Sequence, residues 1–493
     1  MRSTASTPAG HGIQPPPGPA TSATRTAPTE LTDEQRGWLA QARRIESGGW
    51  LHITVAGSPA ARGFQYGYLI ADEYAESVRV YREMTYQYIG MSYEFFVERA
   101  VELHAEAIPD ELRTEMTGVA AGLTAAGVPT TFNDVLGFND WMELTGYWWP
   151  KNSGRYTALA PTRSEGNHCS AFIATGSATA DGSIILGHNS FAEFWQGQFE
   201  NIILDISPDN GHRIVMQCAP GWIASMSDFW LTSAGLAITE TTIGGYDGFK
   251  GYDETRVPEF VRARTAAQYA SDIDQWVEVL NTNNNGGYAN SWLVGDIKTG
   301  EIARYEEGLL YQSLSRTTDG YFWGDNMPTD PRIRNLECLG SGFSDIRTPN
   351  GAREVRWRQL LGQHHGHIDV EVGKRMLADT FDTYLGYTRP SARTICAQSD
   401  LDACFDSGLT PFTPFGSVDG KVVSSTDVAA LNLWARYGRA DGTEFNAEEF
   451  FRQHPQWDWQ RGYLRDRPQR PWVYVESRGG RGAQSGDHVG GAR

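Results

Sequence analysis

The stretch GNHCSAFIATGSATADGSIILGHNS, residues 166–190, contains two apolar, β-branched runs separated by Asp181-Gly182. Asp-Gly between two such runs is a strong signal for the tight turn of a β-hairpin. We therefore predict that the runs pair antiparallel, with residues 186–191 beside residues 169–173. This pairing brings His188 near Cys169, which stands where a polar linker enters the first strand.

The rest of the chain divides into a helix-rich first part and a strand-dominated second part. Residues 31–168 carry apolar residues at three- and four-residue spacing, and Thr32-Asp-Glu-Gln35 predicts a capping box for a helix running to about Ile45. Residues 169–477 contain short apolar runs between Gly, Asn and Asp, interrupted by helical segments. Such an order favours layered α+β packing. We expect flexible tails over residues 1–30 and 478–493, which are rich in small and polar residues.

Composition limits the classes of function. The 493 residues are 40% apolar and 12% aromatic, enough for a large core, and the net charge of −18 disfavours nucleic acids and anionic lipid surfaces. The sequence contains no run of 18 apolar residues that would predict a transmembrane helix, and no signal peptide is visible. We therefore expect a cytoplasmic protein, with export left open. Five cysteines without a C-x-x-C pair predict a mostly reduced chain.

The position of Cys169 suggests a specific chemistry. If the His168–Cys169 bond were cut, the new α-amino group, with a pKa of about 7.7 to 8.0, could accept the thiol proton, so that one residue supplies nucleophile and base. The Cys169 sulfur could also make that cut itself, by attacking the carbonyl of His168 to form a thioester that water releases. The competing interpretation is a small buried cysteine at the start of a core strand.

Several local patterns, taken in order, resemble the phospholipase B-like family and, more broadly, the C45-type autoproteolytic acyltransferases and other N-terminal-nucleophile hydrolases. They extend from about Trp50 to Val475 and include Cys169-Ser170, Gly187-His-Asn-Ser190, Pro220 to Leu236, Thr239-Glu-Thr-Thr242, Gly287 to Asp296 and Phe415 to Val422. Each pattern is weak alone, and their shared order makes the resemblance specific.

The resemblance implies a four-layer αββα sandwich with a helix-rich N-terminal prosegment, self-cleavage before Cys169, and hydrolysis of an amide or ester through an acyl-enzyme. It implies that Cys169 is the nucleophile, that His188 lies close to it, and that the Asn290 side chain helps to stabilise the oxyanion, a contribution of about 2.7 to 4 kcal/mol. Trp222 and Thr241 are candidate pocket residues. We predict no cofactor and no metal, a small-molecule or lipid acyl substrate, and two fragments that stay associated; self-association of the chain is left open.

Three alternatives remain. The acyl group could pass to an amine acceptor instead of water, which makes the protein an acyltransferase. The chain could be a binding module on the same fold without catalysis. A cluster of histidines at residues 364–367, followed by Asp369 and Glu371, offers metal ligands but matches no established ligand spacing.

Overall fold

A computed structural model describes residues 25–157, 169–340, 342–403 and 410–477. The predictions made for His168 and for most of the two tails lie outside these residues. Thr26 and Thr29, within the tail predicted over residues 1–30, donate backbone hydrogen bonds of 3.0 Å to Gly127 and Ala125.

The described residues form fourteen α-helices, which lie mainly before Cys169 and between residues 259 and 377. They are α1 Asp33–Leu39, α2 Pro59–Leu69, α3 Ala71–Ile89, α4 Tyr93–His104, α5 Asp110–Ala125, α6 Phe132–Glu143, α7 Trp149–Asn152, α8 Phe194–Gly197, α9 Glu259–Tyr269, α10 Ile273–Asn281, α11 Pro349–Gln363, α12 Val370–Leu377, α13 Ser425–Ala430 and α14 Ala447–Gln453. None of them is both long enough and apolar enough to cross a membrane.

Eighteen strands occur in the described residues. They are β1 Arg43–Ser47, β2 Trp50–Gly57, β3 Cys169–Thr175, β4 Ile185–Glu193, β5 Ile202–Pro208, β6 Ile214–Cys218, β7 Phe229–Thr232, β8 Leu236–Thr242, β9 Asn290–Asp296, β10 Glu301–Glu307, β11 Gln312–Thr317, β12 Gly320–Gly324, β13 Phe381–Asp382, β14 Tyr387–Thr388, β15 Phe415–Ser417, β16 Asp419–Ser424, β17 Leu433–Tyr437 and β18 Val473–Val475.

Two large sheets organise these strands. The first has the order β1-β2-β5-β6-β7-β8-β9-β10-β11, and the second has the order β12-β3-β4-β16-β17-β18, with β15 also pairing β4. The N-terminal part contributes two strands to the first sheet, since β2 pairs in parallel with β5. The helix-rich segment and the strand-dominated core therefore share one sheet.

Three buried clusters show that the layers run helix, sheet, sheet, helix. One cluster fills the space between the sheets and includes Ile173 from the second sheet and Leu231 from the first. A second lies between the other face of the first sheet and the helices α2 to α6, α9 and α10. A third packs the outer face of the second sheet against α11 and α12. The predicted four-layer αββα fold is confirmed.

The predicted hairpin is present as β3 and β4. Its register pairs Cys169 with Ser190 and Ala171 with His188, within the range expected from the sequence. All seven residues of β3 are buried, so the thiol lies inside the sandwich at the first position of a strand. The hairpin places His188 two residues along β4 from the residue opposite Cys169.

The first predicted helix begins as expected and ends early. The Thr32 and Gln35 side chains form the predicted capping box, but α1 ends at Leu39 instead of about Ile45. Arg43–Ser47 instead pairs antiparallel with β2. Strand pairing there provides backbone partners that outweigh the local helical pattern.

Candidate active site

Cys169 lies among buried carboxylates that the sequence analysis did not single out. Its Sγ is 3.9 Å from Oε1 of Glu240 on β8. Asp228, just before β7, belongs to the same group, since one ligand atom from each of the three residues lies within 4.8 Å of the others. All three side chains are buried. A charged residue inside the buried strand Leu236–Thr242 is the signal that could have indicated Glu240, because buried carboxylates are rare without a partner.

Burial and mutual repulsion favour protonated forms of these groups. Burial raises the pKa of Glu240 to about 8, and burial followed by the charge of Glu240 raises the pKa of Asp228 well above its usual value. Two adjacent carboxyls in a dry site cannot both ionise readily, so the pair shares at least one proton at neutral pH. Burial and then the charges of Glu240 and Asp228 also raise the pKa of the Cys169 thiol. The thiol is therefore protonated at neutral pH, and a nucleophilic role would require a base that accepts its proton.

The backbones of Asp228 and Tyr288 adopt an uncommon conformation. Their φ angles are 61° and 50°, in the left-handed region that few residues other than glycine adopt. The Tyr288 hydroxyl lies 3.4 Å from Asp228 Oδ2, and the Thr239 hydroxyl donates to the Asp228 carbonyl at 2.8 Å. Such strain persists where surrounding contacts enforce it, and it is concentrated at functional sites.

His188 contacts the backbone of Glu240 rather than the thiol directly. Its Nε2 lies 3.0 Å from the Glu240 carbonyl oxygen. Because a carbonyl only accepts, Nε2 carries the hydrogen, and the neutral ring leaves Nδ1 as an acceptor. Burial and the charge of Lys421 lower the pKa of His188 well below its usual value, which keeps the ring neutral. His188 thus ties β4 of one sheet to the residue of the other sheet that contacts the thiol.

Asn290 is the first residue of β9, and it lies opposite Thr242 in the register of β8. Its side chain is fully buried, and neither its amide nitrogen nor its carbonyl oxygen has a partner among the described residues. A buried primary amide without partners destabilises the fold, because each unsatisfied polar group lowers the free energy of unfolding by about 1–3 kcal/mol. This amide is therefore available to a ligand.

The two candidate pocket residues differ in their surroundings. Thr241 is buried on β8 with its hydroxyl unpartnered among the described residues. Its neighbour across the sandwich is Gly324 of β12, where an added Cβ would lie 2.3 Å from the Thr241 oxygen. Trp222 is fully buried and packs against Phe138 of α6, at a ring-centroid distance of 6.1 Å. The structure thus places Trp222 within the helix-facing core.

A buried polar network supports the strand opposite Cys169. The Lys421 ammonium donates to the Ser190 hydroxyl and to Asp419, both at 2.8 Å, and also to Gln217. Asp419 in turn accepts from the Ser190 backbone at 3.0 Å. Because Ser190 pairs with Cys169, this network fixes the strand opposite Cys169. Lys421 and its partners were not identified from the sequence.

Two groups of described residues could offer three metal-ligating atoms each. One is Cys169 with Asp228 and Glu240, and the other is His104 with Asp140 and Glu143. The histidine cluster proposed as an alternative metal site forms neither group: His364 is the C-cap of α11, Asp369 caps α12, and Glu371 pairs with Lys374.

Comparison with known proteins supports the resemblance that the sequence motifs indicated. The family model Phospholipase B matches residues 129–336. Putative phospholipase B-like 1 of Caenorhabditis elegans is 26% identical over 61% of this chain and 56% of its own length. Putative phospholipase B-like 2 of Homo sapiens is 30% identical over 57% of this chain and 54% of its own length. The chain thus spans about half the length of these curated relatives.

Among solved structures, a variant of conjugated bile acid hydrolase from Clostridium perfringens covers 55% of this chain and 89% of its own, with 12% identity and a TM-score of 0.34. The family model begins before the linker and ends beyond β12, so it includes Cys169, His188, Glu240 and Asn290. The family model and the two phospholipase B-like relatives confirm the resemblance to this family that the sequence motifs predicted.

Proposed function

We propose that this chain is a self-cleaving cysteine hydrolase that acts on an amide or ester bond of a small-molecule or lipid substrate. The observation that carries the proposal is the 3.9 Å contact between the Cys169 sulfur and Glu240, in a buried site at the first residue of a strand. The relatives named phospholipase B-like support an acyl ester as the substrate class. Acyl transfer to an amine would use the same acyl-enzyme, and the acceptor decides between the two outcomes.

Self-cleavage requires a base before any free α-amino group exists. In the intact chain the Glu240 side chain contacts the thiol, and its ionised carboxylate accepts the thiol proton as sulfur attacks the carbonyl of His168. The same proton then passes to the nitrogen of Cys169 as the peptide bond breaks, leaving a thioester. Water hydrolyses the thioester, which releases the thiol and the new carboxylate.

In the cleaved enzyme the α-amino group of Cys169 becomes the base, because its pKa of about 7.7 to 8.0 leaves part of it unprotonated at neutral pH. Sulfur attacks the substrate carbonyl, and the unpartnered Asn290 amide donates to the developing oxyanion. The α-amino group passes the thiol proton to the alcohol or amine as its bond to the acyl carbon breaks, and water then hydrolyses the acyl thioester to release the acid and the thiol. His188 acts as a positioning residue, since it holds the Glu240 backbone. The free Thr241 hydroxyl is available to a polar group of the substrate.

The intact mass of purified protein tests this proposal. We expect wild type to give two fragments that separate before Cys169, Cys169→Ala to stay uncut, and Glu240→Gln to be cleaved more slowly. Cys218→Ala is the matched control, because Cys218 is a buried thiol whose near partner is the Tyr66 hydroxyl, at 3.3 Å, and it should be cleaved normally. An uncut wild-type chain, or cleavage of Cys169→Ala, would contradict the proposal.

A further inference from the structure

The nucleophile and its two carboxylates have the composition of a metal-binding site. Sulfur from Cys169 and oxygens from Asp228 and Glu240 lie within 4.8 Å of one another, and all three side chains are buried. On a tetrahedral zinc ion, Zn–S and Zn–O bonds of about 2.3 and 2.1 Å place the sulfur and oxygen about 3.6 Å apart. The observed 3.9 Å between Sγ and Glu240 Oε1 needs a contraction of only a few tenths of an ångström.

Each carboxylate also keeps one oxygen available. Asp228 Oδ1 and Glu240 Oε2 are fully buried and have no donor among the described residues apart from the proton that the two carboxyls share. Buried polar atoms without a partner are uncommon in folded proteins, and those present need an explanation. A bound cation would satisfy both oxygens.

We propose that Cys169, Asp228 and Glu240 form a binding site for a borderline-soft divalent cation of the zinc class, which blocks the nucleophile reversibly. Thiolate with two carboxylates favours zinc over magnesium or calcium, which prefer sets of oxygen ligands. On binding, the thiol proton and the shared carboxyl proton pass to solvent. In a cleaved chain the α-amino nitrogen of Cys169 would add a fourth ligand.

This proposal goes beyond the proposed function and does not require cleavage, because the three side chains are present in the intact chain. Cobalt(II) is the probe, since a cobalt–thiolate bond gives a charge-transfer absorption in the near ultraviolet. We expect one ion per chain, the absorption band in wild type, and its displacement by zinc. Cys169→Ala should abolish the band, and Asp228→Asn and Glu240→Gln should each raise the Kd at least about tenfold.

The variants are chosen so that folding does not confuse the result. Asparagine tolerates the left-handed backbone of Asp228, and glutamine has the shape of glutamate. Glu193→Gln is the matched control, because the Glu193 carboxyl accepts from the Tyr88 hydroxyl at 3.1 Å and does not belong to the proposed site, and its Kd for cobalt should equal that of wild type.

Two results would overturn the proposal. The first is cobalt binding without the thiolate band or with unchanged Kd in the carboxylate variants. The second is loss of binding in His104→Ala with normal binding in Cys169→Ala, which would assign the ion to the other buried group. The intact mass of the same samples measures cleavage independently of cobalt binding. A chain that stays uncut when it is purified without metal, and that then binds cobalt, would uphold this site and refute self-cleavage.

Discussion

Replacement of Asn290 by leucine should separate catalysis from folding. Both polar atoms of the Asn290 amide are buried without partners among the described residues, so an apolar side chain of similar size removes no protein hydrogen bond. Removing each unsatisfied polar group should stabilise the fold by about 1–3 kcal/mol, and imperfect packing of leucine offsets part of this gain. We therefore expect the free energy of unfolding to stay level or rise by up to about 2 kcal/mol. Turnover should fall about 10²- to 10³-fold, the usual loss of one oxyanion donor.

Asn189→Leu provides the matched comparison. The Asn189 amide, one residue from His188 on β4, donates to the carbonyls of Leu377 and Ile395 at 2.8 and 3.3 Å. Its removal leaves buried carbonyls unpaired and should cost about 1–3 kcal/mol. Urea denaturation and steady-state kinetics measure both quantities. Normal turnover in Asn290→Leu, or a loss of stability equal to that of Asn189→Leu, would refute the assigned role.

Two further predictions concern stability. Burial lowers the pKa of His104, but Asp140, 2.6 Å away, and the charge of Glu143 together raise it to about 9. The protonated ring should therefore stabilise the fold by about 3 kcal/mol below pH 6.5, and this contribution should be lost as pH rises through 9; urea denaturation of His104→Gln should lack this pH dependence. Gly122→Ala places a Cβ 2.2 Å from the Phe64 carbonyl where α2 and α5 pack, and it should lower the free energy of unfolding by about 1–3 kcal/mol. Gly37→Ala lies in open space and should raise the free energy of unfolding by about 0.5–1 kcal/mol. Equal effects at the two glycines would contradict the packing argument.

Local patterns predict the strands of the second half well. The Cys169 hairpin has the predicted register, because apolar runs and an Asp-Gly turn act over a few residues. The helix from Thr32 ends early for a long-range reason, since Arg43–Ser47 pairs with a neighbouring strand. The parallel pairing of β2 with β5 joins residues about 150 apart and leaves no local signal.

The candidate site was predictable in part. The sequence resemblance identified Cys169, His188 and Asn290, but it assigned no role to Glu240 or Asp228. Contact between Cys169 and Glu240 spans 71 residues and two sheets, so it depends on how the sandwich closes. A carboxylate within a buried strand indicates that a partner lies nearby, but the sequence does not identify that partner.

The central claim is that Cys169 carries an acyl-enzyme, and the mass of the trapped species tests it most directly. Purified protein would be mixed with an activated acyl ester, quenched in acid and weighed by intact-mass and peptide-level mass spectrometry. The account predicts an added acyl group on the fragment that begins at Cys169, located on that residue and absent from Cys169→Ala. Acylation at another residue, or equal acylation of Cys169→Ala, would contradict it.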